Sequence, residues 1–368
     1  MWGWPRNGRG VARAWERKGR SRIRGGTKCA NSNGTNPRRN DAMERSPHAG
    51  NVIASRFALE REVGRGGTSV VWAASDLTTG KHVALKLVAP QEAHDPVVND
   101  RFARECEVLL RCQIRQVVRA EATGYDQTHG FFLAMELLEG ETLEQRLARV
   151  GVLSAAELRC VAKDVAKALS YLHGLGITHR DLKPANIFLV QDGCGELSAK
   201  LLDFGTVKLG ENADRYGRTE AGALVGTPSR MSPEQARSLP IDHRTDVWAF
   251  AMVAFEALVG SQAIDGTMPL GQVVLAVCFA RLPVPSQLNA AVDHRFDAWF
   301  ARSTALAPQD RFDSVAAQWM ALSTVLEPSA SSAHRLGRAA RRVRTVLIDA
   351  TNTMTLPPLA PRRNVGTT

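Results

Sequence analysis

The sequence predicts an α+β fold in two lobes, a small strand-rich lobe followed by a larger, mainly helical one. Two observations carry this reading. Short strand-like runs crowd residues 57–89, broken by a glycine loop and a turn. From about residue 141 onward, helical patterning takes over. The charge also divides the chain. Residues 1–50 hold 12 Lys/Arg against 3 Asp/Glu, and residues 328–368 hold 7 against 1. The net charge of +10 therefore belongs to the two ends, and residues 51–327 carry a net −5.

The elements follow in order. "FALEREVG" and "SVVWAASD" are strand-like runs on either side of the glycine loop. "DLTTGKH" is a turn, and "HVALKLVA" alternates as a third strand. In residues 96–112, Val98, Phe102, Cys106 and Leu109 recur at helical spacing, with Pro96 suited to a first turn. Strands follow near "VVRAEATGYD" and "FFLAMEL". Ser154–Leu172 is a helix opened by a capping box, Ser154 with Glu157. Asp246–Val259 is an almost wholly apolar helix. It contains Glu256 and is shorter than the ~18 residues a membrane span needs, so it reads as a buried core helix.

Six scattered cysteines without a C-x-x-C pair argue against a disulfide framework or a zinc site and fit reduced thiols in a cytoplasmic protein. No apolar run resembles a secretory signal. The charge distribution argues against a nucleic-acid-binding fold, because the basic residues lie outside the folded middle. The expected organisation is a basic, disordered arm over 1–55, a folded domain over 56–326 and a basic, disordered tail over 327–368. Other readings of the arm are a contact for nucleic acid or anionic lipid, or translation starting at Met43. In the tail, Leu336, Ala340, Val343 and Leu347 fall on one helical face among arginines. A solvated tail is preferred there over a membrane or partner helix.

A series of motifs runs in fixed order through the middle. "VGRGGTSVVW" carries Gly64, Gly66 and Gly67, with Ser69 where a third patterned glycine would stand. Lys86 sits in "VALK", and Glu105 follows in the first helix. "HRDLKPAN" spans His179–Asn186, and "DFG" spans Asp203–Gly205. "GTPSRMSPE" spans Gly226–Glu234, "DVW" spans Asp246–Trp248, and Arg311 lies in "APQDRF". Singly, each has an ordinary explanation, such as a surface lysine or a turn. Together they make the chain resemble the protein kinase family over about Arg56–Leu326, and most of all the eukaryotic-type serine/threonine kinases of bacteria.

The resemblance implies a small antiparallel-sheet N-lobe with one helix over about 56–138 and a mainly helical C-lobe over about 139–326. It implies ATP and Mg²⁺ as cofactors and protein Ser/Thr hydroxyls as substrates. Phosphoryl transfer leaves the protein mostly positioning and charge stabilisation. Glycines would let the loop approach phosphates and adopt positive φ angles. Val71, Ala84 and Phe188 would pack on adenine. Lys86 would bind the α/β-phosphates, held by Glu105. The hinge would be Glu136–Leu138, behind Met135, with backbone groups pairing to adenine. Asp181 would be the catalytic base, Lys183 would neutralise the γ-phosphate, and Asn186 and Asp203 would hold the metal. His179 and Phe204 would pack internally. Asp246 would anchor the catalytic loop, and Glu234 would pair with Arg311. The intact Lys86, Asp181, Asn186 and Asp203 weigh against a non-catalytic scaffold, and the full activation segment weighs against a small-molecule phosphotransferase.

The sequence departs from the pattern at Ser69, at Arg230 in place of an aromatic, at Ser232 in place of alanine, and at "RCQIRQVVR", where an H-P-N segment is usual. Arg180 implies control by a phosphate on the activation segment. The hydroxyls there are Thr206, Tyr216, Thr219, Thr227, Ser229 and Ser232. Thr227 is expected to bond Asp181 and Lys183, and Thr219 is the expected autophosphorylation site. Phosphopeptide mass spectrometry of active protein should find Thr219 modified. Full activity in Thr219→Ala would remove it as a switch.

Overall fold

The computed structural model describes residues 46–66, 68–88, 95–191, 195–204, 208–209, 228–279 and 281–327. The chain divides into two units, Met1–Val325 and Leu326–Thr368, and every described helix and strand lies in the first. Among the described residues, no helix is long and apolar enough to cross a membrane.

The N-lobe is a six-stranded antiparallel sheet. Its strands are β1 (Val52–Ile53), β2 (Phe57–Arg65), β3 (Ser69–Asp76), β4 (His82–Val88), β5 (Ala120–Asp126) and β6 (Gly130–Glu136), in the order β1-β2-β3-β4-β6-β5. β1 was not foreseen, being only two residues long, and it lies upstream of residue 56. It pairs with Phe57 and Ala58 through a turn in which Ala54 and Ser55 have positive φ.

Alternation decides the two faces of this sheet. Trp72, Leu85 and Leu87 join Ile53, Phe57 and Phe132 in one apolar core. Phe57 and Phe132 meet edge to face at 5.5 Å. Val71 stands opposite Lys86, and Ala84 stands opposite Met135, so these four share the other face. Helix α1 (Pro96–Arg111) is capped by Asp95, whose carboxylate accepts the Val97 amide at 2.7 Å. Its stripe of Val98, Phe102, Cys106 and Leu109 is buried as its spacing predicts. Burial pushes the Cys106 thiol up to about 12, which makes it a packing group.

The segment after α1 ties this lobe to the next. The Gln116 backbone oxygen accepts from Leu201 N at 2.8 Å, and Leu201 O accepts from Val118 N at 3.0 Å. The Gln116 side chain donates to Asp164 at 3.1 Å. Asp164 also accepts Ser198 Oγ at 2.8 Å and Ala199 N at 3.1 Å, which satisfies a buried carboxylate.

The C-lobe begins with β7 (Glu141–Thr142), α2 (Leu143–Val150) and α3 (Ala155–Gly174). The Ser154–Glu157 capping box forms as predicted. Gly140, before β7, must be glycine. Its φ is +145°, and a Cβ there would lie 2.0 Å from Leu189 O. Short strands β8 (Ile177–Thr178), β9 (Ile187–Gln191), β10 (Leu197–Leu201) and β11 (Lys208–Leu209) follow. β10, β9 and β7 form one small sheet, and β11 and β8 form another.

Then come α4 (Pro233–Ala236), α5 (Arg244–Val259), α6 (Leu270–Phe279), α7 (Pro285–Leu288), α8 (His294–Ser303) and α9 (Val315–Val325). α5 is buried on all sides, as an all-apolar helix must be. Ser232 stands where the family pattern has alanine. It is fully buried and forms a capping box with Gln235 at the start of α4.

Glu234 and Arg311 form the expected buried pair. Both carboxylate oxygens accept from the guanidinium at 2.8 Å, and Thr245 Oγ1 donates to Glu234 at 2.6 Å. Burial alone would raise the Glu234 carboxyl, but Arg311 brings it below its usual range. Arg311→Met should cost about 3–5 kcal/mol in chemical denaturation, because it strands a buried carboxylate, and Glu234→Leu added to it should recover part of the loss. A lowered folded-state pKa gives stability that is complete above the unfolded value of about 4.3 and is lost as pH falls through the folded value. Melting curves of Glu234→Gln should therefore fall less steeply below pH ~4 than those of wild type.

Candidate active site

Lys86 and Glu105 meet between β4 and α1. The Lys86 ammonium donates to both Glu105 oxygens at 2.7 Å and lies 3.4 Å from Asp203 Oδ1. Burial would lower Lys86, but the two facing carboxylates outweigh it and hold the lysine charged.

The loop His179–Asn186 is fixed from below. Asp246, fully buried at the start of α5, accepts the His179 amide through Oδ2 and the Arg180 amide through Oδ1, each at 2.9 Å. His173 Nε2 donates to it at 2.7 Å. Burial would raise the Asp246 carboxyl, but the His173 hydrogen bond helps to bring it below its ordinary range. Arg180 is held at φ +68°, a strained position for a side chain with a Cβ, and its carbonyl accepts from Gln235 Nε2 at 2.9 Å. The buried rings of His179 and Phe204 stack at a tilt, 5.3 Å apart.

Above this floor, Lys183 Nζ donates to Asp181 Oδ2 at 2.7 Å. Asn186 Nδ2 donates to the Asp181 carbonyl at 2.9 Å, and Leu202 N donates to Asn186 O at 2.9 Å. Asp203, at φ +36°, is therefore reached two residues after a strand clamped to the loop. The Asn186 amide nitrogen is committed to the loop, which leaves its oxygen as the atom suited to a cation. One carboxylate and one amide oxygen are hard donors that fit Mg²⁺, an ion that takes its remaining ligands from water and phosphates.

The expected hinge starts at the end of β6. The Glu136 amide donates to Arg119 O at 2.9 Å, so this donor is committed within the protein. The Glu136 carboxylate accepts Lys200 Nζ at 2.6 Å and Arg119 N at 2.9 Å. Leu138 follows the strand end, with Met135 buried behind it. Phe188 lies on β9, and its ring is the side chain that a Cβ at Gly140 would meet at 3.2 Å.

In the glycine loop, Gly64 pairs with Val71 beside a bulge, and Gly66 N donates to Ser69 O at 2.8 Å. Neither Gly64 nor Gly66 has a positive φ, so the expectation of positive φ is corrected at both.

A cavity of about 140 Å³ brings together Ser69, Lys86, Glu105 and Asp203. Thr68 and Arg101 also line it. Sequence reading passed over Arg101, although its place four residues before Glu105 puts it on the same helix face.

Arg230 pairs with Glu256 on α5. Its Nη1 bonds Oε2, and Nη2 donates to Oε1 at 3.1 Å. Ser229 and Ser232 are buried, which removes both from the set of modifiable hydroxyls. Gly67, Thr206, Tyr216, Thr219 and Thr227 lie outside the described residues, as do the arm up to residue 45 and the tail from residue 328.

Comparison with known proteins agrees with this geometry. The family described as "Protein kinase domain" matches residues 57–281. The serine/threonine-protein kinase PknL of Mycobacterium tuberculosis is 32% identical over 291 residues, covering 78% of this chain and 70% of that protein. A probable serine/threonine-protein kinase of Clostridium acetobutylicum is 30% identical over 265 residues, 72% of this chain and 39% of its own length. PknB of Corynebacterium glutamicum, also described as a probable serine/threonine-protein kinase, is 35% identical over 221 residues, 59% of this chain and 33% of its own length. The chain thus spans 39% and 33% of the length of two of these relatives. The crystal structure of the Mycobacterium tuberculosis PknI kinase domain superposes with a TM-score of 0.60 at 25% identity, over 76% of this chain and all of that one. An ordered set of motifs, a two-lobed fold and relatives of this kind lead to one conclusion: the chain belongs to the protein kinase family, alongside serine/threonine kinases of bacteria.

Proposed function

We propose that the chain transfers the γ-phosphoryl group of MgATP to Ser/Thr hydroxyls of proteins, in signalling, with autophosphorylation at Thr219. The observation that supports this best is Lys86, clamped at 2.7 Å by both oxygens of Glu105 while 3.4 Å from Asp203. A buried ammonium with one carboxylate fully committed and a second half-exposed is an electrostatic seat for phosphates beside a cation site.

In this reading Asp181 orients the acceptor hydroxyl and takes its proton at a carboxylate oxygen. Lys183, bonded to that carboxylate at 2.7 Å, holds its orientation and faces the transferring group with a positive charge. Asn186 and Asp203 hold Mg²⁺, which supplies charge neutralisation at the phosphates. The glycine loop, Val71, Ala84 and Met135 enclose the nucleotide, and Leu138 supplies the hinge donor that Glu136 has already spent. A basic arm, a kinase domain that takes in β1 and runs to residue 326, and a basic tail complete the reading.

The test uses purified full-length wild type and Asp181→Asn with radiolabelled ATP and a generic protein substrate. Wild type should label the substrate. Asp181→Asn should lower turnover by about 10²–10⁴-fold with little change in the KM for ATP. An unlabelled substrate with wild type would end the catalytic reading, and equal labelling by both would end the role of Asp181.

A further inference from the structure

Helix α3 shows solvent one kind of side chain. Between Leu158 and Leu172 its exposed residues are Arg159, Lys163 and Lys167, spaced along one stripe of the helix. The acid in that stretch, Asp164, is buried and committed to Gln116, Ser198 and Ala199. Like charges at this spacing repel and weaken a helix. Among the described residues, neither Lys163 nor Lys167 has a hydrogen-bond or ion-pair partner to offset that repulsion, whereas Arg159 and the exposed Glu196 near β10 have interactions of their own.

The segment after α1 brings a further cation to this stripe. Gln113 N donates to Tyr171 Oη at 3.3 Å, and Gln116 Nε2 donates to Asp164 Oδ1 at 3.1 Å. The segment therefore runs antiparallel to α3 between two ties. The helix rises about 10 Å from Asp164 to Tyr171, and extended chain from Gln113 to Gln116 reaches about as far. Arg115 lies between the ties on the segment, and Lys167 lies between them on the helix. Arg115 is exposed and, among the described residues, also without a hydrogen-bond or ion-pair partner.

We propose that Arg115, Lys163 and Lys167 form a docking surface for an acidic segment of a partner protein, one that presents carboxylates about a helical turn apart. Residues 51–327 carry a net −5, so this patch opposes the charge of the domain around it. An anionic membrane or a long nucleic acid would meet that surrounding negative field, whereas a short acidic segment meets the patch alone. The exposed residues of the stripe and of Gln113–Gln116 include no aromatic ring for stacking bases and no apolar side chain for entering a bilayer. A segment lying across Arg115 and Lys167 touches the strap from the N-lobe helix and a C-lobe helix together. None of these cations belongs to the cleft, so the inference goes beyond phosphoryl transfer and does not rest on it.

The experiment is fluorescence anisotropy of full-length protein with a labelled, alanine-rich helical peptide that carries Glu once per turn on one face. Parallel titrations use vesicles of phosphatidylcholine with phosphatidylserine, and a uridine oligonucleotide. Wild type should bind the peptide, more weakly as salt rises. Lys163→Gln with Lys167→Gln should weaken binding by about tenfold, and Arg115→Gln added to them should weaken it further. Lys163→Glu with Lys167→Glu should bind a peptide in which Lys replaces Glu. Arg38→Gln with Arg39→Gln, which removes the same charge from the basic arm, should bind like wild type, and so should Asp181→Asn. Melting temperatures of the lysine variants should hold or rise, because repulsion along α3 is relieved.

Peptide binding that survives Lys163→Gln with Lys167→Gln overturns the proposal. So does an equal loss in Arg38→Gln with Arg39→Gln, because that assigns binding to net charge and not to the patch. Wild type that ignores the peptide overturns it outright. Wild type that instead binds vesicles or the oligonucleotide through the two lysines overturns the choice of an acidic protein segment as the occupant.

Discussion

The site depends on one buried carboxylate. Asp246 opens the central helix of the C-lobe with no exposure to solvent, and it accepts two consecutive backbone amides from the loop that carries Asp181. An isolated carboxylate in such a place would be costly. Here its cost is offset by two amides and His173, and in return the loop has one conformation. That conformation includes Arg180 in the left-handed region, a strain that persists because the carboxylate and Gln235 hold both sides of the residue. Asp181 comes next in the chain, so its place follows from where Asp246 stands in α5. The apolar face of α5 is therefore more than core packing, since it fixes the floor from which the reacting groups rise.

A second buried carboxylate performs a parallel task above the cleft. Glu105 reaches Lys86 only because the stripe of Val98, Phe102, Cys106 and Leu109 seats α1 on the sheet. Lys86 faces the cleft only because it alternates with Leu85 and Leu87, which point into the N-lobe core. Period two in β4 and period 3.6 in α1 thus converge on one ion pair. A slip of one residue in either element would remove it.

These periodicities explain what was legible in the sequence. Long elements with regular patterning, namely β2 to β4, α1, α3 and α5, stand where the patterning put them. So do Lys86 with Glu105, Asp246 with the loop, and Glu234 with Arg311, because motif order along a known framework carries spatial information that composition does not. Two-residue strands such as β1 and β8 carry too few side chains to show a period. The bulge at Gly64 depends on pairing between β2 and β3, which no local pattern reveals. The cap that Ser232 supplies to α4 shows in the sequence only through its spacing to Gln235, the spacing that Ser154 has to Glu157. Arg101 went unremarked because a charged residue on an amphipathic helix usually lies on a solvated face. Only the loop closing over it turns that face into a cavity wall.

The junction between the lobes is built from polar bridges as well as packing, and their placement matters. Gln116, in the segment where an H-P-N motif is usual, joins the end of α1 to Asp164 on α3. The same Asp164 holds Ser198 and Ala199 on β10. Glu136, at the end of β6, takes Lys200 from that same strand. β10 is the strand that leads to Asp203, so both connections from the N-lobe converge on the element that positions the acidic group facing Lys86. A change in the angle between lobes must then move or break a buried hydrogen-bonded group, not simply slide an apolar surface. Such groups are stable only when fully satisfied, so the arrangement favours a few discrete lobe positions over a continuum. The separation of Lys86 and Asp203, on which the phosphate seat depends, is set by these bridges at the junction as much as by the residues of the seat itself.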